Sequence, residues 1–271
     1  MAFDTGFIYV FSVGWRRAMF YDLSPLAPND PKEREYDVST ALAQFYTYLM
    51  FQRRFKIADQ TWQRLFEGQW FPFITLKDST VRNLIDHAAN SWPLDDLSEA
   101  IAGEVRGTLP AMLLRWKTTQ AFADHIEFLE NASKQFLSKD FLCTSAILFP
   151  RIEGILRSHQ KLTDPGGQAT QTGLADSAVK MAENQRHQNT PLLPRHFQEY
   201  LEKVYFANFD PHDPKIKISR NSVGHGVVPG DECNIEAAVI SLLLVDQLCY
   251  LVSKPSESVP LRSSTCNMPR R

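Results

Sequence analysis

The chain of 271 residues predicts an all-α fold, and three observations carry that prediction. Apolar residues recur at three- and four-residue spacing through most of the length, no alternation of apolar and polar residues runs long enough for a sheet, and no repeat period is present. A composition of 44% hydrophobic and 22% charged residues suits a globular protein with a substantial core. At roughly 150 residues per domain, one large domain or two small ones fit.

Taken in order, the segment ahead of residue 24 reads as a short strand or an arm, and Ser24 to Lys32, with Pro25, Pro28 and Pro31 beside Asn29 and Asp30, reads as a turn-rich linker. Val38, Leu42, Phe45, Tyr46 and Leu49 predict a helix over Asp37 to Lys56, capped by Asp37 or Ser39. Further helices are expected over Asp78 to Asn90 and Leu94 to Leu109. There Pro110 kinks or ends the second before helix resumes over Ala111 to Ala132. A wide apolar face over Lys139 to Gln160, kinked near Pro150, marks a central helix. A polar surface loop follows at Thr163 to Gly173, then helices near Leu174 to Gln185 and Phe197 to Ala207, and a last helix over Asn234 to Val252.

These readings divide the chain into a helical region over residues 1–120 of unknown role, a helical domain over 121–254, and a tail over 255–271. Rich in Ser and Pro, the tail cannot repay the entropy of ordering.

Several classes are disfavoured. A formal charge of −2, from 29 basic and 31 acidic residues, argues against a protein that coats nucleic acid by bulk attraction, though a local basic site remains compatible with it. Cys143, Cys233, Cys249 and Cys266 form no C-x-x-C pair, so reduced thiols in a cytoplasmic protein fit better than zinc or disulfides. The apolar start Phe7 to Val13 has Arg16 and Arg17 behind it, the reverse of an export signal. The apolar stretch Ile235 to Val252 holds Glu236, Asp246 and Gln247, which favours a buried amphipathic helix over a membrane span. His125 and Glu127 spell H-x-E without the P-C-x-x-C half of a deaminase site. Asp210, His212 and Asp213 lie in a turn between Pro211 and Pro214, so neither metal nor cofactor is expected. Gly166 and Gly167 lack the G-K-[ST] of a phosphate loop. Trp62, Trp70, Phe71 and Phe73 read as core packing rather than a base-stacking platform.

The informative segment is Lys215 to Gly226, which reads Lys-Ile-Lys-Ile-Ser-Arg-Asn-Ser-Val-Gly-His-Gly. Arg220 can fork onto a phosphate and His225 brings an imidazole, the side-chain type best suited to acid–base work in neutral water, two of the parts that metal-free RNA cleavage needs. On an ideal helix five residues at about 100° set Arg220 and His225 roughly 140° apart, while Asn221 and His225 share a face. One copy therefore makes an incomplete site, and a two-fold dimer would complete it. The plain alternative makes His225 a helix C-cap bonded to a terminal carbonyl. Upstream, Glu153 and Arg157 are an ion pair at i, i+4 in the favourable order; Glu153 is a candidate support for Arg220 or His225, and Arg157 a candidate RNA contact. Lys215 and Lys217 read as solvated charges, with Lys217 the candidate phosphate contact.

Arg220, Asn221 and His225, with Gly226 behind them, resemble the R-x4–6-H motif of the HEPN superfamily. The likeness extends to the order of parts, a helix bearing Leu-Phe-Pro-Arg-Ile-Glu153-Gly-Ile-Leu-Arg157, then the motif, then a long apolar helix, and covers roughly Ala121 to Lys254. The resemblance implies a helical bundle that dimerises and, in catalytic members, cleaves RNA without metal. His225 is then the acid or base at the ribose 2′-hydroxyl or leaving 5′-oxygen, Arg220 stabilises phosphoryl charge, and Asn221 orients the imidazole or phosphate. The expected product end is a 2′,3′-cyclic phosphate. By analogy the role is that of a toxin or phage-defence effector, with an antitoxin or regulator as partner. The alternative is a non-catalytic module that binds a nucleotide or a partner protein.

Overall fold

The computed structural model describes residues 8–12, 18–22, 47, 50–167, 169–185, 190–210, 212 and 217–253, with backbone alone for 8–12, 18–22 and 181–185. The chain divides into two units, Met1–Tyr46 and Thr47–Arg271. In the first, β1 (Ile8–Ser12) and β2 (Ala18–Asp22) pair antiparallel, Ile8 opposite Asp22 and Ser12 opposite Ala18. Tyr, Val and Phe on facing strands suit a pleated pair. This hairpin amends the all-α expectation, which holds as a mostly helical chain. The helix expected over Asp37 to Lys56 lies mostly outside the described residues, and its end is helical as α1 (Gln52–Phe55). The linker at Ser24 to Lys32 and the tail over 255–271 also lie outside them.

The second unit continues with α2 (Asp59–Glu67), α3 (Asp78–Asn90), α4 (Ser98–Thr118), α5 (Ile126–Leu137), α6 (Phe141–Thr163), α7 (Gln171–Gln185), α8 (Pro194–Tyr200), α9 (Arg220–Gly224) and α10 (Ile235–Val252). Helix α8 runs on as a π-helical turn, Leu201–Tyr205. The core gathers on α10 and α6. Helix α10 packs on α4, α6 and α7, and α6 packs also on α5, α7 and α9. The boundary expected near residue 120 is therefore corrected, because α4 lies along α10 and joins the two stretches it was meant to separate.

Two helices run through prolines. Helix α4 passes Pro110 and ends only where Thr119 turns extended, followed by a 3-10 turn, Gln120–His125; α6 passes Pro150. A helical proline frees the carbonyl four residues back. Pro110 and Pro150 are exposed, as is Ala146, and Arg106 is half-buried, so both prolines sit on the solvent side of their helices. Of the two expectations at Pro110, a kink or an end, the end is overturned, and the helix expected over Ala111 to Ala132 is interrupted at Thr119 instead.

Helix α10 is long and apolar enough to cross a membrane by length and composition, with mean hydropathy 1.9, and 83% of it is buried inside the protein. Rather than amphipathic, it is buried nearly all round, and its polar residues are spent inside. The Asp246 carboxylate, with no exposure, accepts from Arg115 Nη2 at 2.7 Å, from Trp116 Nε1 at 2.9 Å and from the Thr75 hydroxyl. Gln247 accepts from the Ile74 amide and donates to the Leu192 carbonyl, each at 2.9 Å. The loop between α2 and α3 is held also by buried Arg54, which donates to the Pro72 carbonyl at 2.8 Å and to those of Phe73 and Leu76. Burial pulls that guanidinium down to about 10 against the opposing pull of Asp78.

Candidate functional site

Helix α9 is one turn and a half long, too short to hold itself by propagation. Side chains and a glycine hold it at both ends. Ser219 Oγ accepts from the Ser222 amide at 3.1 Å, and Ser222 Oγ accepts from the Ser219 amide at 2.8 Å, a reciprocal cap on a hydroxyl at each end of one turn. At the other end the Val227 amide donates to Ser222 O and the Gly226 amide to Val223 O, both at 3.0 Å, with Gly226 at φ +68°. This is a Schellman ending, and the left-handed position suits glycine. The glycine of the His-Gly pair is thus explained by the helix stop. His225 stands at the C-cap, as the plain reading has it, yet its ring bonds no carbonyl among the described residues. The ring is exposed and lies 5.5 Å from the Phe209 ring.

Arg220 begins the helix. Its Nε pairs with Oε2 of Glu153 on α6, a carboxylate only 6% exposed, while Arg157 grips Oε1 through Nε at 2.8 Å and Nη2 at 2.6 Å. Glu153 is therefore a buried support shared by two arginines, not one half of a surface pair. The Arg220 side chain, 31% exposed, runs along the helix toward its far end. A Cβ placed on Gly224 would stand 3.3 Å from Arg220 Nη1. The guanidinium thus passes over the residue that precedes His225, and the bare Gly224 leaves room for it. No hydrogen bond joins Arg220 to His225 among the described residues, in keeping with their angular separation on the helix.

Asn221 differs from its expected part. It is buried, its Oδ1 accepts from Gln171 Nε2 at 2.8 Å and from Arg220 Nη1 at 3.3 Å, and its Nδ2 donates to the Phe206 carbonyl at 2.9 Å and reaches Asn208 Oδ1 at 3.3 Å. An amide so fully engaged cannot also orient the His225 ring or a phosphate. It locks α9 to α7 and to the end of the π-helical turn. Gln171 and Ser219 were not singled out in the sequence; the Ser219-x-x-Ser222 spacing is the one signal that points to the cap, and nothing near Gln171 marks its role. Tyr205 supports the same corner by donating its hydroxyl to the Phe149 carbonyl at 2.6 Å. Burial, with Glu153 close by, pushes that phenol well above its usual range.

Of the candidate RNA contacts, Arg157 is half-exposed with its guanidinium committed to Glu153, and exposed Lys217 donates to the Glu67 carbonyl. Lys215 and Asp213 lie outside the described residues. The other sequence candidates are structural. His125 is buried beneath Gly154, where an added Cβ would meet its Cε1 at 2.8 Å, and its Nε2 lies 3.1 Å from the Ser158 hydroxyl. Asp210 accepts from the His212 amide as in a turn. Trp62, Trp70, Phe71 and Phe73 are all core residues. Among the described residues no three His, Cys, Asp or Glu side chains gather as metal ligands, and Cys143, Cys233 and Cys249 are unpaired.

Beside the motif helix opens a cleft of about 760 Å³, bordered by Ser219, Lys217 and Phe209 and reaching across to α2 and α8. No family model, curated protein or solved structure matches this chain.

Proposed function

We propose that the protein is a metal-independent endoribonuclease of the HEPN type. The observation that carries this reading is the course of the Arg220 side chain, anchored on buried Glu153 and drawn over Gly224 toward the exposed His225. With Nε on Glu153 and Nη1 on Asn221, the Arg220 Nη2 makes no bond among the described residues and can donate to a phosphate oxygen, where developing charge is stabilised. An exposed imidazole at the helix end is free to take a proton from a ribose 2′-hydroxyl or to give one to the leaving 5′-oxygen. The 2′-oxygen attacks phosphorus, the 5′-oxygen leaves with a proton, and a 2′,3′-cyclic phosphate remains. Since no bond joins Arg220 and His225 among the described residues of one chain, a homodimer supplying a second Arg220 and His225 across one groove completes the site. A cytoplasmic toxin or phage-defence effector restrained by a partner protein is the biological setting this chemistry suits.

The test incubates wild type and an Arg220→Ala/His225→Ala double variant with mixed cellular RNA in EDTA and maps the fragment ends. Cleavage by wild type alone with 2′,3′-cyclic phosphate ends is the expected result. No cleavage by folded, dimeric wild type overturns it.

One observation favours a second reading, a non-catalytic module for a nucleotide or partner protein. Asn221 is saturated and Arg220 is tied to a buried carboxylate, as in a purely structural knot. Equal tolerance of wild type and His225→Ala by expressing cells supports that module, whereas growth arrest confined to wild type supports the nuclease.

A further inference from the structure

The cleft beside α9 has a feature that the motif does not require. The His196 imidazole lies stacked on Trp62, ring centroids 4.4 Å apart and planes 14° from parallel, and both rings line the cleft. Trp62 is buried on the core side, and His196 is half-buried. One face of the imidazole is thus covered by indole, while half-buried His196 still borders the cleft. Burial lowers the His196 pKa, while the Glu199 and Asp59 carboxylates pull it back up from nearby. A flat ring with carboxylates close to it is a platform for a planar ligand that carries N–H donors.

The charges select further. Asp59, Glu67, Glu199 and Asp210 line the cleft against Lys203 and Lys217, with Lys203 bonded to Glu199 at 2.6 Å. Such a lining repels a phosphate and accepts an uncharged base. Among RNA bases, guanine presents adjacent N1–H and N2–H₂ donors that meet one carboxylate in two parallel bonds, and its O6 and N7 accept from a lysine. Uracil offers one N–H between two carbonyls, which carboxylates repel. Volume is no obstacle, since 760 Å³ lies inside the usual range of roughly 300–1,000 Å³ for small-ligand clefts. The cleft is also continuous with the motif: Ser219 caps α9, and Phe209 faces the cleft while its ring approaches His225.

We propose that this cleft is a base subsite that binds guanine on the His196–Trp62 stack, with Asp59 or Glu199 on its Watson–Crick edge, and so sets which phosphate of an RNA reaches Arg220 and His225. The part concerning RNA rests on the nuclease reading; the guanine site does not.

The experiment has two arms. Calorimetry with guanosine, adenosine, cytidine and uridine measures the base site alone, and end-mapping of a random-sequence RNA in EDTA measures its use in cleavage. Wild type is expected to bind guanosine at least about tenfold more tightly than the other nucleosides and to cut next to guanine. Asp59→Asn, Glu199→Gln and His196→Ala weaken guanosine binding and flatten the cleavage preference, while His225→Ala slows cleavage by about 10²–10⁴-fold and leaves guanosine binding intact. Equal or absent binding of all four nucleosides by wild type overturns the base site, even if RNA is cut. Guanosine binding that survives all three cleft substitutions also overturns it, and exposed Asp59→Asn keeps that test valid if His196→Ala does not fold. Guanosine binding without cleavage sinks the nuclease reading and retains the site for a free guanine base or nucleoside. Selective cleavage next to guanine places it on RNA.

Discussion

Two buried carboxylates in this molecule each hold an arginine whose side chain is 31% exposed, and they differ in what surrounds the pair. Asp246 is enclosed on α10, where Arg115, Trp116 and Thr75 spend its acceptors, and the Arg115 guanidinium lies 4.9 Å over the Tyr250 ring. Glu153 is held by Arg157 and Arg220, and the second of these leads to an exposed histidine at the end of a short capped helix. A buried ion pair by itself is thus no sign of chemistry. The sign is the unspent group next to it, here the His225 ring beyond Gly224.

The sharpest way to break this comparison is Asp246→Ala. It strands Arg115 and the Trp116 indole, and stability to chemical denaturant is expected to fall by about 3–5 kcal/mol. The Glu153 side calls for the opposite pattern. His225→Ala should leave the unfolding free energy within about 0.5 kcal/mol of wild type, as for other exposed positions, while the proposed RNA cleavage drops by about 10²–10⁴-fold. A large stability loss with His225→Ala would put both clusters in one structural class.

A third carboxylate sharpens the contrast through pH. Burial, with Asp95 opposing ionisation, pushes the Glu236 carboxyl up to about 7 at the start of α10. A folded pKa raised above the unfolded one means the folded state holds the proton more tightly. Stability from this group is therefore present below about pH 4.5 and is lost as pH rises to about 7. Glu236→Gln should flatten that fall and stabilise the protein at pH 8 by about 1–3 kcal/mol in urea titrations. The smallest effect belongs to Arg157→Ala. Its side chain is 48% exposed and Glu153 keeps Arg220, so melting experiments should show a loss below about 1 kcal/mol.

Much of the helical frame was legible because periodicity reports burial directly. Asp78 to Asn90 was read with its observed ends, and Asn234 to Val252 begins at a residue whose side chain accepts from the Ala237 amide as an N-cap. Pro110 left a kink and an end both open, because the chain alone does not tell whether a helical proline occupies an exposed face. The fate of Asn221 was hidden for another reason: its partners Gln171 and Phe206 are distant in sequence and carry no motif. Glu153 and Arg157 were legible as a pair at i, i+4, whereas burial of Glu153 and its grip on Arg220 depend on how α6 and α9 meet. The cleft was illegible because it is assembled from α2, α8 and the segment before α9, and its His196 platform has no sequence signature.

The two stops on α9 also bear on how this stretch tolerates change. Ser219 and Gly226 act as fixed brackets, one needing its partner hydroxyl three residues on and the other needing a left-handed backbone one step past His225. An inserted or deleted residue between them would move Gly226 off that position and leave a side chain in the left-handed region. The count of residues from Arg220 to His225 is therefore set first by the mechanics of closing one helical turn. A chain with the same fold and no cleavage chemistry would keep the interval, so the interval records the fold, and only the identities of Arg220 and His225 bear on the proposed reaction.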